Sequence, residues 1–356
     1  MAEDKNRVPP MSNALFVGRS GGVRQPGAPG TELGPTGEPT ERMSRQGGMA
    51  GSIAVVIPTY GADRLPVLRR TLLSLVGIAR PVGFEGIWLV ENGPAAGARA
   101  VCDEFASRLS DLHYVHEPQL GSSAARNAGL RASRGDYIIF FDNDVRVGGD
   151  ILNAYARAFD QYGPKCVYGG AVYPEYDTPP PDWLKPYLPP SAVYWHVADV
   201  TGPIDEPILW GANHAISRTA LAAAGGYDPI GATGKLGGVG EETRLQKRIV
   251  ANGGQLIYIA DVPVWHYVPA SECSPQWALQ RVFRHGLTDG LLEPLRGRRR
   301  LAGVPLWAWH RWLRLNLRVL QYRLRGFTLE RRFAFEYERA KWAGVMAGCK
   351  QRANSE

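Results

Sequence analysis

Between residues 52 and 144 short apolar runs alternate with segments of helical period, and this alternation constrains the fold of the 356-residue chain more than any other feature. In "SIAVVIPTY" the stretch Ile53 to Ile57 is apolar without a break, which suits a strand covered on both faces, as in a parallel sheet. "DRLPVLRRTLLSLVG" then places Leu65, Leu68, Leu72 and Leu75 or Val76 at helical spacing, with Arg69 and Arg70 outward. "GIWLVENG" predicts a second strand, "ARAVCDEFASRL" a second helix and "LHYVHE" a third strand. "SSAARNAGLRASRG" predicts a helix opened by Ser122 or Ser123 as cap and stopped by Gly135, and "DYIIFFDND" a fourth strand. Strand and helix in strict turn imply parallel βαβ units with helices on both faces.

In such sheets ligands sit beyond the C-terminal strand ends, which here carry Pro58-Thr59-Tyr60, Glu91-Asn92 and Asp142-Asn143-Asp144. Strand side chains alternate, so Asp142 and Asp144 are expected on one side with Asn143 on the other. Two carboxylates that close repel unless a cation lies between them. Mg²⁺ or Mn²⁺ is the natural partner, since such ions take one or two carboxylates and complete their shell with substrate phosphate oxygens. The competing reading is a solvated acidic turn.

The rest of the chain is less regular. Residues 1–50 are rich in Gly, Pro, Ser and charge without helix or strand period, and read as disordered. The prolines of residues 167–210 point to a long loop over one face, whose Trp183, Tyr187, Tyr194 and Trp195 could stack on a flat partner. "GATGKL" lacks the spacing and the Ser or Thr of a phosphate-binding P-loop. Glu241 and Glu242 then open a helix, as favourable first-turn acids or as a general base at the end of a loop. "QLIYIADVPVWHYV" predicts one strand ending in His266, a packing residue or a further metal ligand on the acidic rim.

The net charge of +7 is unevenly spread. Residues 281–356 hold 17 Lys/Arg against 6 Asp/Glu, so the basic character belongs to the C-terminal part and suggests an anionic partner surface. Within it, Leu306, Trp309, Leu313, Leu317, Leu320 and Leu324 share one helical face, with Arg311, Arg314, Arg318 and Arg325 largely opposite. Either this helix lies in a membrane interface, or its leucines pack on the protein and its arginines face solvent. No apolar run is long enough to span a bilayer, and no N-terminal signal segment is evident. The four scattered cysteines read as free thiols of a reducing cytoplasm.

Taken together, "VVIPTY", "LVENG", "GSSAARNAGLRASRGDYIIFFDND", "GANHAISRTALAAAGGYD" and "GEETRLQKRI" resemble the family 2 glycosyltransferases across roughly residues 52–270. The resemblance implies an inverting enzyme of the GT-A fold: α/β, Rossmann-like, with a mostly parallel sheet flanked by helices on both faces. Here a disordered segment (1–50) would precede that domain (51–272), and a basic, mostly helical region (273–356) would follow it. It implies a nucleotide-diphosphate sugar donor, a UDP-sugar by preference, and transfer to a hydroxyl in polysaccharide or glycolipid synthesis. By position, Pro58, Thr59, Tyr60, Glu91, Arg126, Asp142 and Asn143 would meet the nucleotide sugar. Asp142, Asp144 and His266 would hold Mn²⁺ or Mg²⁺. Glu242 or Glu241 would be the base, and Trp210 and Asn213 would border the acceptor. Glu stands at 91 and 242 where the family usually has Asp, lengthening each reach by one methylene.

A phosphatase of the haloacid-dehalogenase type wants its aspartates on the first strand, and a nucleotidyltransferase its glycines there; this chain has neither. The alternative outside enzymes is a membrane- or nucleic-acid-binding protein acting through the basic helices, with a non-catalytic domain attached. The resemblance favours an enzyme at the cytoplasmic side, peripheral to the membrane, acting on a sugar, lipid-linked or small-molecule acceptor.

Overall fold

The computed structural model describes residues 51–206, 209–228, 240–293, 295–297 and 299–355. The expected disordered segment and nearly all of the glycine-rich loop lie outside the described residues. Strand β1 (Ile53–Thr59) is buried at every position but Pro58. Helix α1 (Leu65–Leu75) turns Leu68, Thr71, Leu72 and Leu75 inward. Strand β2 (Phe84–Asn92), helix α2 (Ala98–Phe105), strand β3 (Leu112–Glu117), helix α3 (Ser122–Ala132) and strand β4 (Tyr137–Phe141) complete the predicted alternation. These four strands are parallel in the spatial order β3-β2-β1-β4. One detail differs: α3 starts after Gly121 with no side-chain cap and ends at Ala132, before Gly135. The Ser122 hydroxyl is directed to Glu241 instead.

After β4 come strand β5 (Val145–Val147), helix α4 (Ile151–Tyr162), strands β6 (Cys166–Gly169), β7 (Val172–Tyr176), β8 (Gly202–Ile204) and β9 (Asn213–Ser217), and helices α5 (Arg218–Ala223) and α6 (Glu241–Ala251). Strands β10 (Gln255–Tyr258) and β11 (Val264–Val268) follow. Among the described residues the main sheet has eight strands in the order β3-β2-β1-β4-β9-β6-β10-β8. Strand β9 runs antiparallel between β4 and β6, so the sheet is mixed beyond β4. That reversal brings the segment before Asn213 to the rim where β1, β2 and β4 end, with Asn213 paired to Phe141.

The run expected as one strand ending in His266 is two strands in two sheets. Strand β10 joins the main sheet beside β6, whereas β11 lies between β5 and β7 in a three-stranded sheet. His266 is therefore mid-strand and pairs with Val145, next to the acidic turn.

The C-terminal part is helical as expected: α7 (Pro275–Leu292), a small hairpin of β12 (Arg300–Leu301) and β13 (Val304–Pro305), then α8 (Leu306–Leu324) and α9 (Leu329–Ser355). Helices α7 and α9 touch backbone to backbone. A Cβ on Gly286 or Gly290 would lie 2.1 Å from the carbonyl oxygen of Lys341 or Val345 on α9. Gly344 and Gly348 on α9 approach α7 as closely, so the four glycines let the two backbones touch. The aromatic residues expected to stack on a ligand are mostly used in packing. Trp183 and Tyr187 set their rings edge-on against Phe333 of α9, Trp195 enters the main core, and Tyr194 stays exposed.

Candidate active site

The two aspartates do not sit on a strand. Strand β4 ends at Phe141 and β5 begins at Val145, so Asp142, Asn143 and Asp144 form the turn between two sheets. A turn has no two-residue alternation, and the carboxylates part company. Asp142 Oδ1 accepts from Arg126 at 3.3 Å, while Asp144 Oδ2 accepts from Arg64 at 3.1 Å. Asn143 is buried and donates to the Thr59 hydroxyl at 2.7 Å, and its carbonyl accepts from Thr71 at 2.8 Å. Asn143 and Thr59, expected against the donor, thus tie the turn to β1 and α1.

Arg126, on α3, organises the centre of the crevice. Its side chain is 3% exposed, and its terminal nitrogens reach Glu241 at 2.8 Å and Asp142 and Glu242 at 3.3 Å each. Burial opposes its charge, but Glu242, Glu241 and Asp142 outweigh burial and hold the guanidinium protonated. Three carboxylates to one cation leave an excess of negative charge. Glu242 absorbs it: burial first, then the charge of Glu241, against the pull of Arg126, raises its pKa to about 7. Asp142 is shifted upward too, by burial against Arg126 and with Asp144 adding to the rise.

Glu241 and Glu242 differ although adjacent. Glu241 is buried and accepts from the Ser122 hydroxyl at 2.5 Å as well as from Arg126. Glu242 keeps part of its side chain open, 19% exposed, and abuts Gly211. A Cβ on Gly211 would lie 2.1 Å from Glu242 Oε1 and 2.9 Å from an Arg126 nitrogen, so any side chain there displaces the end of Glu242. The Gly211 carbonyl is held by buried His214, whose other ring nitrogen meets the Tyr227 hydroxyl at 2.5 Å. A carbonyl only accepts, so Nδ1 carries the proton and Nε2 accepts from Tyr227. Burial, reinforced by Arg126, lowers the His214 pKa to about 3 and keeps the ring neutral.

On the other side of the turn, His266 Nε2 faces Asp144 Oδ1 at 3.4 Å. Asp144 Oδ1 and His266 Nδ1 are both buried without a hydrogen-bond partner. A dehydrated carboxylate oxygen beside an imidazole suits a divalent cation whose remaining ligands come from substrate and water. Among the described residues no three His, Cys, Asp or Glu groups are arranged to hold a metal by themselves. Asp142, expected as a further ligand, gives one oxygen to Arg126 at 3.3 Å.

Two other expectations change. Glu91 is buried, and its carboxylate accepts from the backbone of Ala96 and Ala98 and from the Tyr114 hydroxyl. Burial alone would raise its pKa; the bonds from Tyr114, Ala98 and Ala96 outweigh it and lower the value. Glu91 thus shapes the turn into α2 and has no open acceptor for a base. Asn213 is fully buried among Tyr155, Ala171 and Val262, not on an acceptor surface. Trp210, one residue before Gly211, is half-buried with an unpartnered indole N–H, and the Tyr60 ring is exposed at the end of β1. Arg64, Glu272, Gly211, His214 and Tyr227 escaped the sequence reading. "GANH" was the visible signal for two of them; Arg64 and Glu272 carry none, being 208 residues apart and joined only by the fold.

The sequence description of glycosyl transferase family 2 matches residues 54–225. The succinoglycan biosynthesis protein ExoM of Rhizobium meliloti is 28% identical over 258 residues, 71% of this chain and 80% of ExoM. The validoxylamine A glucosyltransferase of Streptomyces hygroscopicus subsp. limoneus is 30% identical over 153 residues, 41% of this chain and 33% of that protein. Among solved structures, the mannosyltransferase PcManGT of Pyrobaculum calidifontis, in complex with GDP-Man and Mn²⁺, superposes with a TM-score of 0.51 at 17% identity. That match covers 86% of this chain and 88% of the other.

Proposed function

The chain is a family 2 glycosyltransferase with a GT-A-like fold, and on that premise we propose a metal-dependent, inverting transfer from a nucleotide-diphosphate sugar to an acceptor hydroxyl, with Glu242 as base. One observation carries the reading: a single buried guanidinium touches both Asp142 and Glu242 at 3.3 Å, so the acidic turn and the glutamate that opens α6 share one crevice. A base poised near neutrality is what proton removal from an alcohol requires, and the raised pKa of Glu242 supports its assignment over Glu241, which is locked by Ser122 and Arg126.

In this reaction the acceptor oxygen attacks the anomeric carbon from the face opposite the diphosphate. A new C–O bond forms while the anomeric C–O bond to phosphate breaks, its electron pair leaves with the nucleoside diphosphate, and the hydroxyl proton ends on Glu242. Arg126 keeps the Glu242 carboxylate in place and Gly211 leaves it room. Trp210 borders the acceptor side and Tyr60 offers a ring to the donor's base. Asp144 and His266 would hold Mn²⁺ or Mg²⁺, which supplies positive charge to the departing diphosphate. ExoM, named for succinoglycan biosynthesis, makes polysaccharide synthesis the first process in which to seek the acceptor.

The test is the melting temperature of the full chain with a panel of nucleoside diphosphates, with and without Mn²⁺, for wild type and Asp144→Ala. UDP is the first donor nucleotide to examine. A shift with one nucleotide that requires the metal and Asp144 is expected. The absence of any shift would sink the reading.

A further inference from the structure

Helix α8 is amphipathic in the reverse sense from a core helix. Its buried residues are Ala308 and Val319, which face the rest of the protein with half-buried Trp309 and Trp312. The leucines point out: Leu306 is 37% exposed, Leu313 52%, Leu317 and Leu320 51%, and Leu324 79%. At 100° per residue these five fall within roughly 60° of arc and form one ridge along the helix. Of the two sequence-based expectations for this helix, packing of the leucine face on the protein is therefore the one the structure overturns. A ridge of that length standing in water marks a surface that another phase or molecule covers.

The charges beside the ridge identify the occupant. Arg311, Arg314, Arg318 and the capping Arg325 lie along its flank, and residues 306–325 contain no acidic residue. Arg311 reaches Glu338 at 3.6 Å and Arg318 lies over the Phe335 ring, whereas exposed Arg314 and Arg325 meet no carboxylate among the described residues. A second copy of the chain docked ridge to ridge would bring these arginines together. Nucleic acid would take the arginines and leave the leucines in water. A bilayer with anionic headgroups takes both, with acyl chains around the leucines and phosphates at the guanidinium groups. Among the described residues no helix is long and apolar enough to cross a membrane, so this contact is one of lying on the surface.

We propose that the leucine ridge of α8, with Arg314 and Arg325 beside it, docks the protein on an anionic membrane surface. This docking deepens the location of the glycosyl transfer without depending on its chemistry. Failure of the catalytic assignment would leave it standing, and the reverse holds too. The test is co-sedimentation of the full chain with vesicles of phosphatidylcholine alone and of phosphatidylcholine with phosphatidylglycerol in equal parts. Binding is expected only to the anionic vesicles. Leu313→Gln with Leu317→Gln should weaken it about tenfold or more, and each of Arg314→Gln and Arg325→Gln about fivefold. These side chains are exposed, so the melting temperature should stay that of wild type, as should that of the exposed control Leu73→Gln, which should bind as wild type. Binding indifferent to the leucine pair would overturn the proposal. So would a self-associated chain that the leucine pair dissociates and that ignores vesicles.

Discussion

Gly211→Ala separates catalysis from folding in one atom. Its backbone is not in the left-handed region, so alanine is conformationally allowed and the cost falls on its neighbours. The added methyl would stand 2.1 Å from Glu242 Oε1, and the carboxylate must withdraw by about 1.3 Å to restore ordinary contact near 3.4 Å. The end of a glutamate can move cheaply, so stability should change by less than about 1 kcal/mol. Its retreat is confined, however, because Arg126 stands 2.9 Å from the same methyl and Glu241 is fixed beyond it. A base misplaced by about an ångström loses on the order of a hundredfold in rate, equivalent to about 2.7 kcal/mol in the barrier. The assay is steady-state release of nucleoside diphosphate, with donor affinity measured separately by calorimetry. The expected result is a kcat about a hundredfold lower with donor Kd and melting temperature near wild type. A kcat within about threefold of wild type would refute the argument, because the Gly211–Glu242 contact would then be irrelevant to the chemistry.

Glu242→Gln should remove about 10²- to 10⁴-fold of turnover while leaving donor binding intact, measured by the same pair of assays. In wild type kcat/KM should fall as pH drops through about 7, because protonated Glu242 cannot take the acceptor's proton. The same shift runs against stability: the folded state binds the Glu242 proton more tightly than the unfolded state does. Its contribution is thus complete below the ordinary carboxylate pKa and fades as pH rises through about 7. Glu242→Gln should accordingly melt higher than wild type at pH 8, by calorimetry, and little differently at pH 4. Gly290→Ala places a methyl 2.1 Å from the Val345 carbonyl, where only backbone can yield, and should destabilise the C-terminal helices by about 1–3 kcal/mol in urea unfolding. His266→Ala should weaken the Mn²⁺-dependent binding of nucleoside diphosphate, read by titration with and without chelator, and leave metal-free binding unchanged.

The parallel half of the sheet was legible in the sequence because β1 and β4 are near-continuous apolar runs and the helices between the strands are amphipathic, both local patterns. Ile53–Thr59, Leu112–Glu117 and the helix beginning at Ser122 fall where the periodicity puts them. Residue types at the strand ends also marked the two acidic pairs that the fold brings to one crevice, one after β4 and a second opening α6. Where those residues would aim was not legible. Alternation predicts direction only inside a strand, and the chain leaves β4 at Phe141, so Asp142 and Asp144 turn to different partners, Arg126 and Arg64. Glu91 and Asn213 show the same limit: burial and backbone partners decided their roles, and neither leaves a local trace.

The sequence by itself determined that four strands alternate with three helices, that acidic residues follow the last strand, and that α8 carries leucines on one face and arginines beside them. Tertiary structure alone decided three further matters. It placed β9 antiparallel, so that Gly211 reaches the rim. It buried Glu242 beside Glu241 and Arg126 in one crevice, so that burial and the neighbouring carboxylate raise its pKa to about 7 against the pull of Arg126. It packed Ala308 and Val319 inward, so that the leucines face out. The physical reason is common to all three. Hydrophobic period is written along the chain, whereas the field at a carboxylate and the burial of a face depend on groups brought together from distant positions.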